Sequence, residues 1–231
     1  MMPSPMTLPL EAFVFDAYGT LFDVHSVAAL AETLAPGRGE ALSKAWRAKQ
    51  LEYTWLSSLM SSPRRPRRDF DDLTRRALDH AAEALGVALR REAKQLLLAQ
   101  YLALTPHADA KAALAALVPR PRWILSNGTY ASLAPLVRDS GLMPLITGVL
   151  SVDDADVYKP SPRVYALAAA KLNLPPRRIG FVSANCWDAI GAQSFGFTSF
   201  WINRAGAPVD RHGPPPRHIM RTLAELALLT A

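Results

Sequence analysis

Short apolar runs, separated by longer stretches with three- and four-residue periodicity, organise this chain. Runs rich in β-branched and aromatic residues fall at Ala12–Asp16, Trp123–Ser126, Ile146–Ser151, Ile179–Ala184 and Thr198–Asn203, and helix-like segments space the last four. Such alternation predicts an α/β fold, a parallel sheet covered by helices. The first strand breaks the rhythm: Ser26–Leu34, Glu40–Met60, Asp69–Leu85 and Arg90–Leu104 all carry apolar residues at helical spacing before the second strand arrives. A helical insertion after strand one is therefore expected, with Gly86 ending its third helix. Ligands of an open parallel sheet sit beyond the carboxyl ends of its strands, so an insertion leaving from that edge would lie over the site as a cap. The stretch Pro208–Pro216 reads as a surface connection before a final helix over Arg221–Thr230.

Composition narrows the class. At 231 residues, half of them hydrophobic and 20% charged, the chain suits one domain with a sizeable insertion, soluble and without a membrane partner. The first eleven residues lack the basic start and apolar stretch of a secretory signal, and Cys186 is the only cysteine, so a cytoplasmic protein without an intramolecular disulfide is expected. The net charge of +6 is densest at Pro63-Arg64-Arg65-Pro66-Arg67-Arg68. No aromatic residues interleave that patch and no nucleic-acid-binding signature accompanies it. It reads as a solvated, proline-stiffened loop, and no nucleic-acid partner is expected. A basic surface does suit a small anionic substrate.

Polar chemistry gathers at four strand ends. Asp16, with Thr20 four residues on, follows strand one, and Gly19 between them forms a turn. Ser126-Asn127-Gly128 follows the second strand as a cradle for an oxyanion or carboxylate, because a glycine lets backbone amides approach an anion. Tyr158-Lys159-Pro160 sets an ammonium before a proline suited to start the helix Ser161–Lys171. Ser183-Ala184-Asn185-Cys186-Trp187-Asp188 supplies a hydroxyl, an amide, an indole and a second acid. Each has a plainer reading alone: Asp16 as a helix cap, Lys159 and Asp188 as a structural ion pair, Ser126 and Asn127 as a turn, Trp187 as core. Cys186 with His107 is a further nucleophile–base option, which no histidine motif supports.

In their order, DAYGTL, SNG, YKP and SANCWD resemble the haloacid dehalogenase superfamily, and more narrowly its type II (S)-2-haloacid dehalogenases. The segment Arg47-Ala48-Lys49-Gln50-Leu51-Glu52-Tyr53-Thr54-Trp55 resembles that subfamily's cap helix. The resemblance implies a Rossmann-like core, residues 1–22 and 106–231, with a helical cap over 23–105. It implies hydrolysis of L-2-haloalkanoic acids to D-2-hydroxy acids without metal or cofactor. Asp16 would attack C2, expel halide and become an ester that water hydrolyses. Arg47 and Asn127 would stabilise the halide, Ser126 with backbone amides near Ala17 and Tyr18 would hold the substrate carboxylate, and Thr20 would orient Asp16. Lys159, Tyr165, Ser183, Asn185 and Asp188 would form the network around Asp16 and the hydrolytic water. Tyr18, Leu51, Phe70 and Trp187 would line an apolar pocket, and a homodimer joined through the helical region would follow.

Helical spacing adds one point independently: Arg47, Leu51 and Thr54, at i, i+4 and i+7, share a helix face. The alternative is a phosphatase of the same superfamily. Those enzymes resemble DxDGT at the first motif and hold Mg²⁺ through acids of the fourth. Here Tyr18 replaces the second acid, and Ser183 and Asn185 stand where paired acids would suit a hard cation. The arginine-rich link before Phe70 also departs from the family, whose link contains glycine and tyrosine.

Overall fold

Strand β1 (Ala12–Phe15) is buried throughout, which is why its apolar run is unbroken. It lies inside a six-stranded, all-parallel sheet of order β3-β2-β1-β4-β5-β6, in a computed structural model that describes residues 10–229. The others are β2 (Arg122–Ser126), β3 (Gly148–Ser151), β4 (Ile179–Ser183), β5 (Thr198–Ile202) and β6 (His218–Met220). Phe15 pairs with Ile124 on one side and Val182 on the other. This register brings the residues after β1, β2 and β4 to one edge. Chain order reverses between β1 and β4, the crevice where ligands of such sheets bind.

The insertion holds helices α1 (Ala28–Leu34), α2 (Gly39–Leu59), α3 (Phe70–Ala84) and α4 (Arg91–Tyr101). Asp69 caps α3, its carboxylate accepting from the Asp72 N–H at 2.7 Å. Gly86 follows α3 at φ +64°, the expected glycine stop. Helix α4 ends at Tyr101, short of the expected Leu104. Trp46 Nε1 of α2 donates to the Thr74 carbonyl of α3 at 2.8 Å, pinning the two longest cap helices together. The insertion leaves and re-enters the core side by side: the Asp23 N–H donates to the Thr105 carbonyl at 2.8 Å, and the His107 N–H to the Leu21 carbonyl at 2.9 Å.

Helix α5 (Ala110–Ala116) follows, then α6 (Tyr130–Asp139), α7 (Pro162–Leu172) and α8 (Cys186–Phe195) cover the sheet. Three expectations need correction. The proline opening α7 is Pro162, while Pro160 lies in the turn before it. The short α5 was not anticipated, because its alanine-rich run carries little apolar periodicity. The tail differs most: after the irregular stretch 208–216, β6 pairs with β5, and a 3-10 segment Leu223–Leu229 replaces the expected α-helix. Thr230 of that helix lies outside the described residues.

Phe181 sits at the middle of β4, fully buried. Its ring packs on Tyr165 and Phe197 at centroid distances of 5.5 and 5.9 Å. Truncation leaves a cavity that three elements cannot close together. Phe181→Ala is expected to cost about 3–5 kcal/mol in urea unfolding; a loss below about 1 kcal/mol would show that the site collapses freely.

Candidate active site

Asp16, the first residue past β1, is only 5% exposed. Its Oδ2 accepts from Thr20 Oγ1 and Asn185 Nδ2, each at 2.9 Å, and its Oδ1 from Lys159 Nζ at 3.1 Å. Donors from three chain segments fix the carboxylate in one orientation. The turn that brings Thr20 back is tight: the N–H groups of Thr20, Leu21 and Phe22 converge on the Ala17 carbonyl. Gly19 holds φ +92° within it, a conformation that a side chain would strain. Thr20 Oγ1 also accepts from the Ala184 N–H at 2.8 Å, stitching the turn to the end of β4. Arg204 braces it by donating to the Gly19 and Thr20 carbonyls at 3.4 and 3.3 Å.

Lys159, 1% exposed, bridges two acids, since its Nζ also donates to Asp188 Oδ2 at 3.0 Å. Burial works against this ammonium, yet the Asp16 and Asp188 charges and their hydrogen bonds hold its pKa above the usual lysine value. Asp188, in the first turn of α8, is fully buried. Desolvation pushes its carboxyl up to about 6 against the pull of Lys159. Tyr165 donates to Asp188 Oδ1 at 2.7 Å. Burial and then the Asp188 charge raise the Tyr165 phenol well above its usual value, so it stays protonated and donates. Ser183 stands one step back: its Oγ accepts from the Asn185 N–H at 3.1 Å and thereby shapes the turn presenting Asn185.

At the end of β2, the Asn127 amide oxygen accepts from the Lys159 N–H at 3.1 Å, tying the second motif to the third. Ser126 Oγ accepts from the Gly128 N–H at 3.1 Å. Gly128 is required by close approach, because a Cβ there would lie 2.8 Å from Tyr18 Cε2 and 2.9 Å from its hydroxyl. The Tyr18 ring also stacks on Tyr101 at 5.7 Å and lies 5.1 Å from Phe70. Burial first, then Tyr101 and Asp71, push the Tyr18 phenol well above its usual value. Tyr18 is therefore a neutral wall. Among the described residues, the Ala17 and Tyr18 N–H groups meet no protein acceptor.

From the cap, Arg47 reaches the core loop: its Nη2 donates to the Tyr18 carbonyl at 3.2 Å and its Nη1 to Gln50 Oε1 at 2.7 Å. Gln50 is fully buried, accepts from Tyr101 Oη at 2.9 Å and donates to Thr74 Oγ1 at 2.6 Å. Gln50 and Tyr101 thus hold the guanidinium, and Thr74 fixes the Gln50 amide. Sequence reasoning missed all three; a glutamine on the apolar side of an amphipathic helix was the one available signal. Leu51 is half-buried one turn beyond Arg47. Thr54 is buried, and its hydroxyl donates to the Leu51 carbonyl of its own helix at 2.6 Å. Trp187 meets Trp55 of α2 edge-on at 5.5 Å, so the cap and the fourth motif share an aromatic contact.

The competing groups lie elsewhere. Cys186 Sγ accepts from the Asp210 N–H at 3.4 Å and packs in a small cluster with Ala189, Ile190 and Trp201, whereas His107 Nε2 lies 3.2 Å from the Gly19 carbonyl oxygen. A cavity of about 790 Å³ between α2, the arginine-rich link and α3 is lined by Leu56, Met60 and Arg64 among others, and by none of the strand-end residues. Convergent chemistry, not size, puts the site at Asp16.

The haloacid dehalogenase-like hydrolase family matches residues 10–196. (S)-2-haloacid dehalogenase H-109 of Pseudomonas putida is 43% identical over 221 residues, covering 95% of this chain and 97% of that protein. A crystal structure of an L-2-haloacid dehalogenase superposes with a TM-score of 0.92 at 42% identity, over 96% of this chain and 98% of that one. The L-2-haloacid dehalogenase of Xanthobacter autotrophicus with chloropropionic acid covalently bound superposes with a TM-score of 0.87 at 37% identity, over 95% and 98%. The family match over residues 10–196, with relatives about 43% identical over nearly the whole chain, establishes that this chain belongs to the haloacid dehalogenase-like hydrolase family.

Proposed function

We propose that the protein hydrolyses L-2-haloalkanoic acids to D-2-hydroxy acids through an ester on Asp16, without metal. One observation carries the reading: a carboxylate fixed by three side-chain donors at the end of β1 is followed two residues on by the Tyr18 carbonyl, which the cap guanidinium of Arg47 bonds. The relative with covalently bound chloropropionic acid supports it. An Asp16 oxygen attacks C2 from behind the carbon–halogen bond, which breaks with its electron pair going to halide. Arg47 and the Asn127 amide NH₂ stabilise that charge. The N–H groups of Ala17 and Tyr18, with Ser126, hold the substrate carboxylate. Water then attacks the Asp16 carbonyl carbon, the alkoxide leaves as the hydroxy acid, and one proton is released. The water oxygen stays on Asp16, and inversion at C2 converts L to D.

Lys159, with Thr20 and Asn185, positions Asp16. Tyr165 and Asp188 position Lys159, and Ser183 positions Asn185. Tyr18, Leu51, Phe70 and Trp187 form the apolar wall. The metal-free character is supported by the donor set: both strand-end acids, Asp16 and Asp188, already engage Lys159, and Tyr18 offers no second acid. No proton need reach a departing halide. We place the cap at 23–105, supported by the hydrogen-bonded entry and exit segments near Asp23 and Thr105. A homodimer joined through the cap belongs to the same reading. Leu56, Leu59 and Met60, 39, 82 and 51% exposed on α2, support it. A cytoplasmic setting fits a chain whose only cysteine is Cys186.

Incubating the protein with each enantiomer of 2-chloropropionate and a chelator should release chloride from the L form alone and yield D-lactate. Magnesium-dependent phosphate-ester hydrolysis without halide release would overturn the assignment. Asp16→Asn is expected to lower kcat by about 10⁴-fold or more, and Arg47→Lys by about 10²–10³-fold, in chloride-release assays. Full turnover in either variant would remove that residue from its role.

The pH dependence has a sign. Asp188 has a folded pKa above its unfolded one, so it favours folding in acid, and that contribution is lost as pH rises through about 6. Protonated Asp188 no longer anchors Lys159 as an anion. The acid limb of kcat should therefore fall near pH 6. Because the Tyr165 hydroxyl bonds the ionised carboxylate, Tyr165→Phe should move that limb to higher pH, and a shift to lower pH would show that Asp188 does not control it.

A further inference from the structure

The arginine-rich link does more than pass over the surface. We propose that Arg67 is a positioning residue that latches the cap onto the core loop preceding Lys159, and so sets how much of the protein stands closed over Asp16. The inference rests on the dehalogenase reading for its kinetic arm only.

Arg67 differs from its exposed neighbours Arg64 and Arg65: its side chain is 5% exposed. Its Nη2 donates to Asp153 Oδ1 at 2.7 Å, its Nε lies 3.5 Å from Asp156 Oδ1, and its guanidinium lies over the Tyr158 ring at 4.3 Å. Tyr158 is gripped from two further sides. Its hydroxyl donates to the Arg68 carbonyl at 2.8 Å, and its N–H donates to Ser58 Oγ of α2 at 2.9 Å. The next N–H, that of Lys159, points instead to Asn127 in the core. Two consecutive backbone donors are thus committed to opposite bodies, and the lysine that orients Asp16 begins where the cap's grip ends.

A second clasp lies close by. Asp71, near the start of α3, accepts from Ser132 Oγ at 2.7 Å and Thr129 Oγ1 at 2.9 Å, just past Ser126-Asn127-Gly128. The cap therefore holds both loops that carry site residues after β2 and β3. Asp16 is covered, so substrate entry requires these contacts to open and reclose. If only the closed form binds productively, weakening the latch multiplies apparent affinity by the fraction still closed, which raises KM. Saturating substrate restores closure, which leaves kcat nearly intact.

The test combines chloride-release kinetics on L-2-chloropropionate with amide hydrogen exchange on the free protein. Arg67→Met is expected to raise KM about tenfold with kcat within about twofold. Exchange should speed up over residues 61–70 and 153–159, with the strands unchanged. Arg67→Lys should show a smaller KM rise, and Arg67→Glu combined with Asp153→Arg should recover most of the loss. Arg64→Ala should match the parent protein. If Arg67→Met does not fold, Asp153→Asn tests the same pair from the other side. Unchanged KM and unchanged local exchange would overturn the latch, as would a fall in kcat that tracks the folded fraction alone. A parent protein that releases no halide, yet shows the local exchange response, would sink the dehalogenase reading and leave the latch standing.

Discussion

The arrangement depends on one buried ammonium held between two carboxylates. Lys159 touches Asp16 at 3.1 Å and Asp188 at 3.0 Å, and all three groups are nearly or wholly removed from water. Desolvating charges is expensive, and breaking such a pair by deleting one partner typically costs about 3–5 kcal/mol. The remaining hydrogen-bonding capacity is therefore filled by neutral donors: Thr20 and Asn185 on Asp16, Tyr165 on Asp188. The sheet makes this possible, because β1, β2 and β4 end within two residues of one another in register and each delivers a polar residue at that edge.

The cap closes the cluster with both charge and aromatic surface. Arg47 is held by Gln50 and Tyr101 before it reaches the Tyr18 carbonyl, so its position is set within the cap and its charge is spent at the core. Tyr18 joins the two bodies. Its ring fills the space that Gly128 leaves open and packs on Phe70 and Tyr101 from the cap. Trp55 against Trp187 repeats this on the far side. A fixed positive charge among buried aromatic side chains acts with less solvent screening than one at the surface.

Much of this is legible in the amino-acid sequence. Continuous apolar runs such as Phe13-Val14-Phe15 mark strands buried on both faces, and a carboxylate directly after one of them marks the functional edge. Amphipathic periodicity located α2 and α3 within a residue or two. Where the physics is nonlocal, legibility failed. The edge strand β6 exists because β5 offers it backbone partners, and the residues Pro214-Pro215-Pro216 before it gave no strand signal. Tyr101 and Thr74 support the Arg47–Gln50 pair from two other helices, a relation that no spacing within α2 encodes. Arg67 looked like its neighbours in a basic run, and only its burial on Tyr158 sets it apart.

The chain by itself determined the fold class, the inserted cap and the strand-end residues, because hydrophobic period and the order of motifs are local properties written along the backbone. Tertiary structure decided which oxygen of Asp16 meets which donor, that Ser183 shapes a turn instead of touching Asp16, and that Thr54 bonds its own helix. It also decided that the arginine-rich link grips the loop before Lys159. Those outcomes depend on distances between segments far apart in sequence, where a hydrogen bond is made or lost within a few tenths of an ångström.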